Sequence, residues 1–471
     1  MGFFKKKIMR DLSVSLFANL VSLAGSTLMT VLLPKFIGVS EYAYYQLYIF
    51  YCSYVGFFAV GQIEGVYLRH GGEYYDKLDK KQISGQFRFF SIFEVFLSVG
   101  ISLIVFFTSD DFNKTIVLIF FSCCILVYLP RAFLHNLLQT TGRIKEYAQS
   151  VMLEKLVHIL ITVAGIALGQ DIFIWFVCSE LIGRVCGAIY IFGVCRDIVA
   201  KRPTKLSHVI PEIKLNSIAG LPLMISNVAS MLIIGVIRQS IEWCWNIETF
   251  GKISLTISLS NLLLTFINSV SLVLFPALKR SAPEKLKPIY QIMCTLLTSM
   301  MFFAMILYYP VKSILSIWLP QYAESLKYMA ILFPICAYES KMSLIINTYM
   351  KALRKERTLL YINLVTVGLS ICMAALTCFF MHSLDLAIFS IVVSMAFRSI
   401  IAERILSKQL LISVLKNNIV ELLITAAFII CSWIIGGILG LVLYIICYAI
   451  YILINKKDLA YSIKFMKKEI A

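Results

Sequence analysis

Residues 115 to 138, TIVLIFFSCCILVYLPRAFLHNLL, form an apolar run whose one charged side chain is Arg131. A helix needs about 20 such residues to cross a hydrocarbon core of about 30 Å. The apolar residues are continuous rather than alternating, which indicates a helix and not a strand. A charged side chain at this depth costs at least ~2.5 kcal/mol, so it normally faces a partner or a water-filled cavity. The stretch therefore predicts a membrane-spanning helix whose arginine faces a partner or a water-filled cavity.

Similar runs recur along the whole chain. Hydrophobic residues make up 60% of its 471 positions and the mean hydropathy is +0.85, more than a soluble protein accommodates. We predict an all-α polytopic membrane protein of about fourteen transmembrane helices. The expected spans are approximately 12–34, 43–63, 87–107, 115–138, 150–169, 172–194, 219–241, 252–275, 290–309, 326–349, 359–380, 386–406, 419–436 and 438–455.

The basic residues fall mostly in alternate gaps between these runs. By our assignment, about 33 of the 43 lysines and arginines lie on the side of the amino terminus, which the positive-inside rule identifies as cytoplasmic. We therefore expect a multi-pass protein of the cytoplasmic (inner) membrane with both termini in the cytoplasm. The net charge of +17 then faces anionic membrane lipids, and a nucleic-acid partner is not expected.

Several function classes are disfavoured by the same pattern. No gap exceeds about twenty-five residues, which leaves no room for a nucleotide-binding domain, and the sequence has neither a P-loop nor a G-x-S-x-G motif. The thirteen cysteines form no C-x-x-C pair and lie mostly inside apolar runs. We expect no catalytic residues, no cofactor and no metal, and thus a protein that is not an enzyme.

An internal repeat relates spans one to six to spans seven to twelve. Asn19 matches Asn227, Arg131 matches Lys341 and Arg184 matches Arg398, all at separations of 208 to 214 positions. Copies with six spans each have the same topology and are related by an axis along the membrane normal. The repeat predicts a six-helix bundle at 1–210, a second at 211–407, and two extra helices with a basic cytoplasmic tail at 408–471.

The chain resembles the multidrug/oligosaccharidyl-lipid/polysaccharide exporter superfamily, and within it the flippases of O-antigen and capsular polysaccharide. The resemblance rests on the basic start before the span with Asn19, on the turn from Gly38 to Tyr45, and on the stretch from Gln139 to Tyr147. It implies transfer of undecaprenyl-pyrophosphate-linked oligosaccharide repeat units across the membrane for surface polysaccharide, including lipopolysaccharide. Its expected partners are that lipid-linked oligosaccharide and other polysaccharide assembly proteins.

Six intramembrane cations are candidate substrate ligands: Arg131, Lys341, Arg184, Arg398, Lys155 and Arg238. We expect Arg131 and Lys341, at equivalent places in the repeat, to line a cationic cleft between the bundles and bind pyrophosphate. Guanidinium groups suit phosphate oxygens, and lysine acts as a point charge. The alternative is internal pairing: Glu180 lies one helical turn before Arg184, and Glu339, two residues before Lys341, could pair across helices.

Other polar residues in the spans allow two interpretations each. Asn19 and Asn227 are candidates for hydrogen bonds to sugar hydroxyls, or for hydrogen bonds that hold helices together. Glu94, His158 and Glu339 are candidates for coupling transport to protons or other cations. A lone histidine in a span is more often a packed polar residue.

Two other functions compete with the flippase. A cation-coupled multidrug antiporter of the same superfamily would bind organic cations through unpaired carboxylates, for which Glu94 and Glu339 are the candidates. A membrane glycosyltransferase or polysaccharide polymerase would need a large outer loop, whereas the longest outer gap here is about sixteen residues around Trp318. The sequence favours the flippase, working by alternating access.

Overall fold

The computed structural model describes the backbone of residues 20–108, 111–280 and 283–470, and every regular element in these ranges is helical. Side chains are described in the same ranges except at 263, 265–280, 283–286, 463 and 465–470. These residues form two compact units that meet in sequence between Met231 and Leu232. The division falls inside one long helix, and the three-part division expected from the repeat stays a prediction.

The first unit contains the short apolar helix α1, the six helices α2 to α7 and the first part of α8. Their bounds are α1 Leu20–Phe36, α2 Val39–Cys52, α3 Gln62–Arg69, α4 Lys80–Thr108, α5 Phe112–Thr140, α6 Ile144–Ala167, α7 Phe173–Val194 and α8 Leu206–Cys244. The second unit begins within α8. Its other helices are α9 Ile247–Arg280, α10 Lys287–Trp318, α11 Met329–Ala352, α12 Glu356–Phe380, α13 Leu384–Leu410, α14 Leu415–Ile435, α15 Gly437–Ile454 and α16 Lys456–Ile470.

The all-helical membrane fold predicted from the sequence is confirmed. Each of the fourteen expected spans overlaps a helix, the first of them from Leu20 onward. The count of fourteen is not confirmed. Among the described residues, eleven helices are long and apolar enough to cross a membrane, or twelve if the pair Val39–Ala59 and Gln62–Arg69, bent by 60°, is one span.

Helix ends in the first unit are fixed by acidic side chains. The Asp111 carboxylate accepts hydrogen bonds from the backbone N–H groups of Asn113 and Lys114 and so caps α5. The Glu41 carboxylate, at the start of α2, accepts a 2.7 Å hydrogen bond from the backbone N–H of Phe173, the first residue of α7. These contacts satisfy donors that a helix leaves free at its first turn.

The short helix α3 packs unusually close to the first half of α8. A Cβ atom at Gly65 would lie 2.1 Å from the backbone oxygen of Asn216, and one at Gly220 would lie 2.0 Å from the backbone oxygen of Gly61. Around these glycines, Arg69 donates hydrogen bonds to Asn216 and Glu212 at 2.6 and 2.7 Å. The contact therefore depends on the absence of side chains at the glycines.

Gly65→Ala is expected to lower the free energy of unfolding by about 1 to 3 kcal/mol, because the added methyl group overlaps the α8 backbone, which cannot easily move. The measurement is thermal unfolding of the purified protein. The matched control is Gly100→Ala in α4, where a Cβ meets nothing within 4 Å. An added methyl in an open helical site stabilises by up to about 1 kcal/mol. Equal effects of the two substitutions would contradict the close approach.

Candidate functional site

Arg131 in α5 is paired with the neighbouring helix α6. Its guanidinium donates hydrogen bonds to the Glu154 carboxylate and, at 3.3 Å, to both the carbonyl and the hydroxyl oxygens of Ser150. Only 2% of Arg131 is exposed. The same carboxylate lies 3.7 Å from the ammonium of Lys155. Internal pairing, the alternative interpretation, is therefore the observed arrangement for Arg131.

Arg184 in α7 is paired along its own helix, as the spacing of four residues predicts. It donates a 2.6 Å hydrogen bond to the Glu180 carboxylate and a 2.9 Å hydrogen bond to the sulfur of Cys124 in α5. Its guanidinium carbon lies 5.4 Å from the centre of the Tyr128 ring, at cation–π distance. The prediction of a Glu180–Arg184 pair is confirmed.

These two pairs belong to one group, which we call the amino-terminal ionic cluster: Arg131, Glu154, Lys155, Glu180 and Arg184. Glu154 also interacts electrostatically with Arg184. With all five groups ionised, three cations face two carboxylates, so the cluster carries a formal charge of +1. Among the described residues, the Nε atoms of Arg131 and Arg184 have no hydrogen-bond partner. The cluster therefore keeps unused donors and an excess positive charge inside the membrane-spanning helices.

Lys155 and His158 differ in their access to the surroundings. The Lys155 side chain is 29% exposed, and its approach to Glu154 is longer than a direct hydrogen bond. His158 lies one turn further along α6, is 4% exposed, and has no partner for Nε2 within the part of the chain that is described. Lys155 is thus the cation of the cluster best placed to meet a ligand, while coupling through His158 stays a prediction.

Two glycines of α7 make room for this cluster. A Cβ atom at Gly187 would lie 2.9 Å from the guanidinium carbon of Arg131. One at Gly183 would lie 2.7 Å from the backbone oxygen of Glu154. The G-x-x-x-G spacing therefore serves close packing of α7 on α5 and α6.

The second unit holds a cluster of opposite sign, which we call the carboxy-terminal ionic cluster: Lys341, Glu403 and Glu421. The Lys341 ammonium donates hydrogen bonds of 2.5 Å to Glu403 and of 2.9 Å to both oxygens of Glu421. The hydroxyl of Tyr290 donates to Glu403 at 3.1 Å, and that of Thr298 to Glu421 at 3.4 Å. One cation faces two carboxylates, and only 2% of Lys341 is exposed. Pyrophosphate binding by Lys341 stays a prediction, and it would require the ammonium to leave both carboxylates.

Lys341 also marks an irregularity of its helix. The segment Lys341–Ile346 of α11 is π-helical, a form that is rare and frequent at functional sites. Lys341, the first residue of this segment, contacts carboxylates of α13 and α14. This geometry ties the first of the two extra helices, α14, to the rest of the second unit.

Arg398 in α13 is paired with Glu339 of α11. It donates hydrogen bonds to Glu339 at 3.0 Å and to the amide oxygen of Asn363 at 2.9 Å. Arg398 is 1% exposed. Internal pairing, the alternative interpretation, is thus observed for Glu339, across helices with Arg398, while Lys341 pairs with Glu403 and Glu421.

Arg238 and Asn227 belong to neither cluster. Arg238 donates a 2.8 Å hydrogen bond to Ser254, and its guanidinium lies over the Phe250 ring at 5.3 Å. Asn227 is exposed, and the described residues offer its side chain no hydrogen bond, so nothing in them supports a helix-joining role. Asn19 lies outside the described residues. Sugar contact by either asparagine stays a prediction.

Glu94 in α4 is an isolated carboxyl of the first unit. It is 0% exposed, and neither of its oxygens has a hydrogen-bond partner among the residues that the structure describes. Ser98, one turn later, donates instead to the backbone oxygen of Ser122 at 2.7 Å. A buried carboxyl without a partner fits the predicted coupling role, which stays a prediction.

Glu421 is not among the candidates that the sequence suggested. It lies in the first turns of α14, inside an expected span. An acidic residue within an apolar run was the signal that could have identified it. No group of three or more histidine, cysteine, aspartate or glutamate side chains suited to a metal ion occurs in the described residues.

Comparison with known proteins identifies the fold. No family model matches the sequence, and no curated protein matches it. The structure is similar to that of the lipid II flippase MurJ in an inward closed conformation, with a TM-score of 0.65 and 13% identity over 96% of this chain and 100% of that chain. It is also similar to an inward-facing multidrug resistance MATE family transporter of the MOP superfamily, with a TM-score of 0.57 and 13% identity over 85% of this chain and 98% of that one. A MOP superfamily transporter from Pyrococcus furiosus matches with a TM-score of 0.52 and 11% identity over 86% and 97% of the two chains. The chain therefore has the fold of the multidrug/oligosaccharidyl-lipid/polysaccharide exporter (MOP) superfamily.

Proposed function

We propose that the protein is a flippase that moves undecaprenyl-pyrophosphate-linked oligosaccharide repeat units across the cytoplasmic membrane by alternating access, for surface polysaccharide biosynthesis. In this proposal both termini are cytoplasmic and the basic gaps contact anionic lipids. The substrate combines a diphosphate, a glycan and a long apolar tail. A carrier for it needs positive charge within the membrane region.

The amino-terminal ionic cluster is the observation that carries the proposal. Its formal charge of +1 attracts an anion, and the free Nε donors of Arg131 and Arg184 are the type of group that binds phosphate oxygens. Lys155, partly exposed, adds a point charge that is not fully engaged by Glu154. We assign diphosphate recognition to these three cations. The carboxy-terminal cluster, with more carboxylates than cations, is less suited to an anion.

The extent of the structural similarity also favours a lipid-linked substrate. The lipid II flippase matches 96% of this chain, whereas the MATE transporter matches 85%. The name of the first protein states a lipid-linked substrate. Similar proteins of this fold are transporters and flippases, which agrees with a function in transport rather than catalysis.

Glu94 supports a second candidate, a multidrug antiporter coupled to cations. Organic cations bind to unpaired carboxylates, and Glu94 has no hydrogen-bond partner among the described residues. Glu94 is one carboxyl, whereas three cations meet in the amino-terminal ionic cluster. The flippase is therefore the function we propose.

Deletion of the gene separates the two candidates. We expect cells without the protein to lose outer-leaflet exposure of the labelled lipid-linked oligosaccharide and to keep their susceptibility to cationic drugs. Re-expression of the wild-type chain should restore exposure. Undiminished exposure in a strain without a redundant carrier would contradict the flippase, and increased drug susceptibility would favour the antiporter.

A further inference from the structure

A groove of about 700 Å³ lies on the second unit, between the end of α10 and the two extra helices α14 and α15. It begins beside the turn at Gly436 and Gly437, where α14 ends and α15 starts. Its volume is that of a typical small-molecule site. All three helices are membrane spans by length and composition, so we expect the groove to face lipid.

Lys312 on α10 supplies the positive charge of the groove. Its side chain is half-buried, and within the described part of the chain no carboxylate pairs with it. Its ammonium lies 5.6 Å from the centre of the Tyr308 ring. An unpaired cation in a membrane helix is costly unless it meets an anion or reaches the interface. The groove therefore offers a site for an anionic group.

Two tyrosines contribute hydroxyl groups to the lining of the groove. Tyr308 and Tyr309 both line it, and neither hydroxyl has a hydrogen-bond partner among the described residues. Tyr308 is 1% exposed. A buried hydroxyl without a partner costs about 1 to 3 kcal/mol, so a ligand that accepts hydrogen bonds would be stabilised here. Lipid ester carbonyls are acceptors of that kind.

The order of these groups along the helices matches the order of groups in a lipid. On α10, Ser316, Ser313 and Lys312 lie nearest to the helix end at Trp318, the tyrosines are deeper, and the apolar Ile306 is deepest. On α15, the groove runs from Gly437 to Ile445, a distance of about 12 Å along the helix axis. The sequence of cation, hydroxyls and apolar wall corresponds to phosphate, ester carbonyls and acyl chains.

We propose that this groove binds one anionic glycerophospholipid. The phosphate contacts Lys312, the ester carbonyls accept hydrogen bonds from Tyr308 and Tyr309, and the acyl chains lie along Leu441 and Ile445. A soluble anion would leave the apolar wall unused, and a polyprenyl phosphate has no ester carbonyls for the tyrosines. The site is separate from both ionic clusters and does not depend on the transported substrate.

Native mass spectrometry of the full-length protein tests the site, with lipids added after delipidation. We expect phosphatidylglycerol to bind about fivefold more tightly than phosphatidylcholine, the effect of one lysine on an anionic headgroup. Lys312→Gln should remove that preference and Lys312→Arg should keep it. The control Lys327→Gln, an exposed lysine that lies over the Trp433 ring at 5.4 Å, should leave the preference unchanged.

A second comparison isolates the tyrosines. Wild-type protein should prefer ester-linked over ether-linked phosphatidylglycerol, and the double variant Tyr308→Phe/Tyr309→Phe should lose this preference while it keeps the preference for the anionic headgroup. The proposal is overturned if Lys312→Gln retains the headgroup preference, if ester and ether lipids bind wild-type protein equally, or if a polyprenyl phosphate binds more tightly than phosphatidylglycerol.

Discussion

Lys341→Met is expected to lower the free energy of unfolding by about 3 to 5 kcal/mol, the usual cost of removing one partner from a buried ionic group. The substitution leaves Glu403 and Glu421 without a cation, although both are almost completely buried. Methionine has a similar volume, so lost packing contributes little. Thermal unfolding of the purified protein measures the effect. The control Lys327→Met removes an exposed lysine and should change stability by less than about 0.5 kcal/mol.

Restoring charge balance should restore the fold. In the triple variant Lys341→Met/Glu403→Gln/Glu421→Gln the cluster is neutral, and the amides can still accept hydrogen bonds from Tyr290 and Thr298. We expect most of the lost stability to return. A triple variant as unstable as the single one would show that the charges are not what holds α11, α13 and α14 together.

The same triple variant tests whether Lys341 binds substrate. If the ammonium serves the fold by joining two carboxylates, transport should persist once the fold is restored. If it leaves the carboxylates to bind pyrophosphate, as its place in the repeat predicts, transport should be lost in a stable protein. Stability and transport measured on this one variant thus distinguish the two roles of Lys341.

The fold was largely predictable because membrane-spanning helices are encoded by a strong, local signal. A run such as 115–138 must be a helix when no water is present to satisfy its backbone, whatever its neighbours are. Features that depend on contacts between helices were not predictable in this way. The bend between α2 and α3 and the π-helical segment Lys341–Ile346 arise from packing, and an apolar pattern does not report them.

An ionic partner could be predicted from the sequence only where the two residues lie on the same helix or on two consecutive helices. Glu180 and Arg184 share one helix, so their spacing predicts the pair. Arg131 and Glu154 are 23 positions apart but lie symmetrically about the turn at Gly142 and Arg143 that joins α5 to α6. Antiparallel helices with a short connection bring such residues to the same level, and this symmetry was the signal available for that pair.

Partners in helices far apart in sequence carry no such signal. Lys341 meets Glu421 across 80 positions, and Arg398 meets Glu339 across 59. Glu339 is closer to Lys341 in sequence, but the two residues are only two positions apart and so point to different sides of α11. The choice of partner in this unit follows from which helices pack together, and that information is global.

The double variant Arg131→Gln/Glu154→Gln is expected to reduce the rate of lipid-linked oligosaccharide transport by about 100-fold, since hydrogen bonds from a charged group to phosphate contribute about 1.5 to 3 kcal/mol. Both members of the pair are replaced by neutral amides, so neither is left as a buried charge without its partner, and we expect the fold to be kept. Lys155→Gln alone should reduce the rate in the same direction. The measurement is outer-leaflet exposure of the labelled lipid at matched protein levels.

The matched control for this variant is Arg398→Gln/Glu339→Gln, which neutralises a buried arginine–glutamate pair in the other unit. That pair lies outside the amino-terminal ionic cluster, so its neutralisation should leave transport nearly unchanged if the guanidinium of Arg131 is part of the recognition element. Equal losses in both double variants would mean that pairs in both units act on the substrate, as the sequence repeat predicts. Full activity of Arg131→Gln/Glu154→Gln would remove diphosphate recognition from the amino-terminal cluster, and with it the observation on which the proposed function depends.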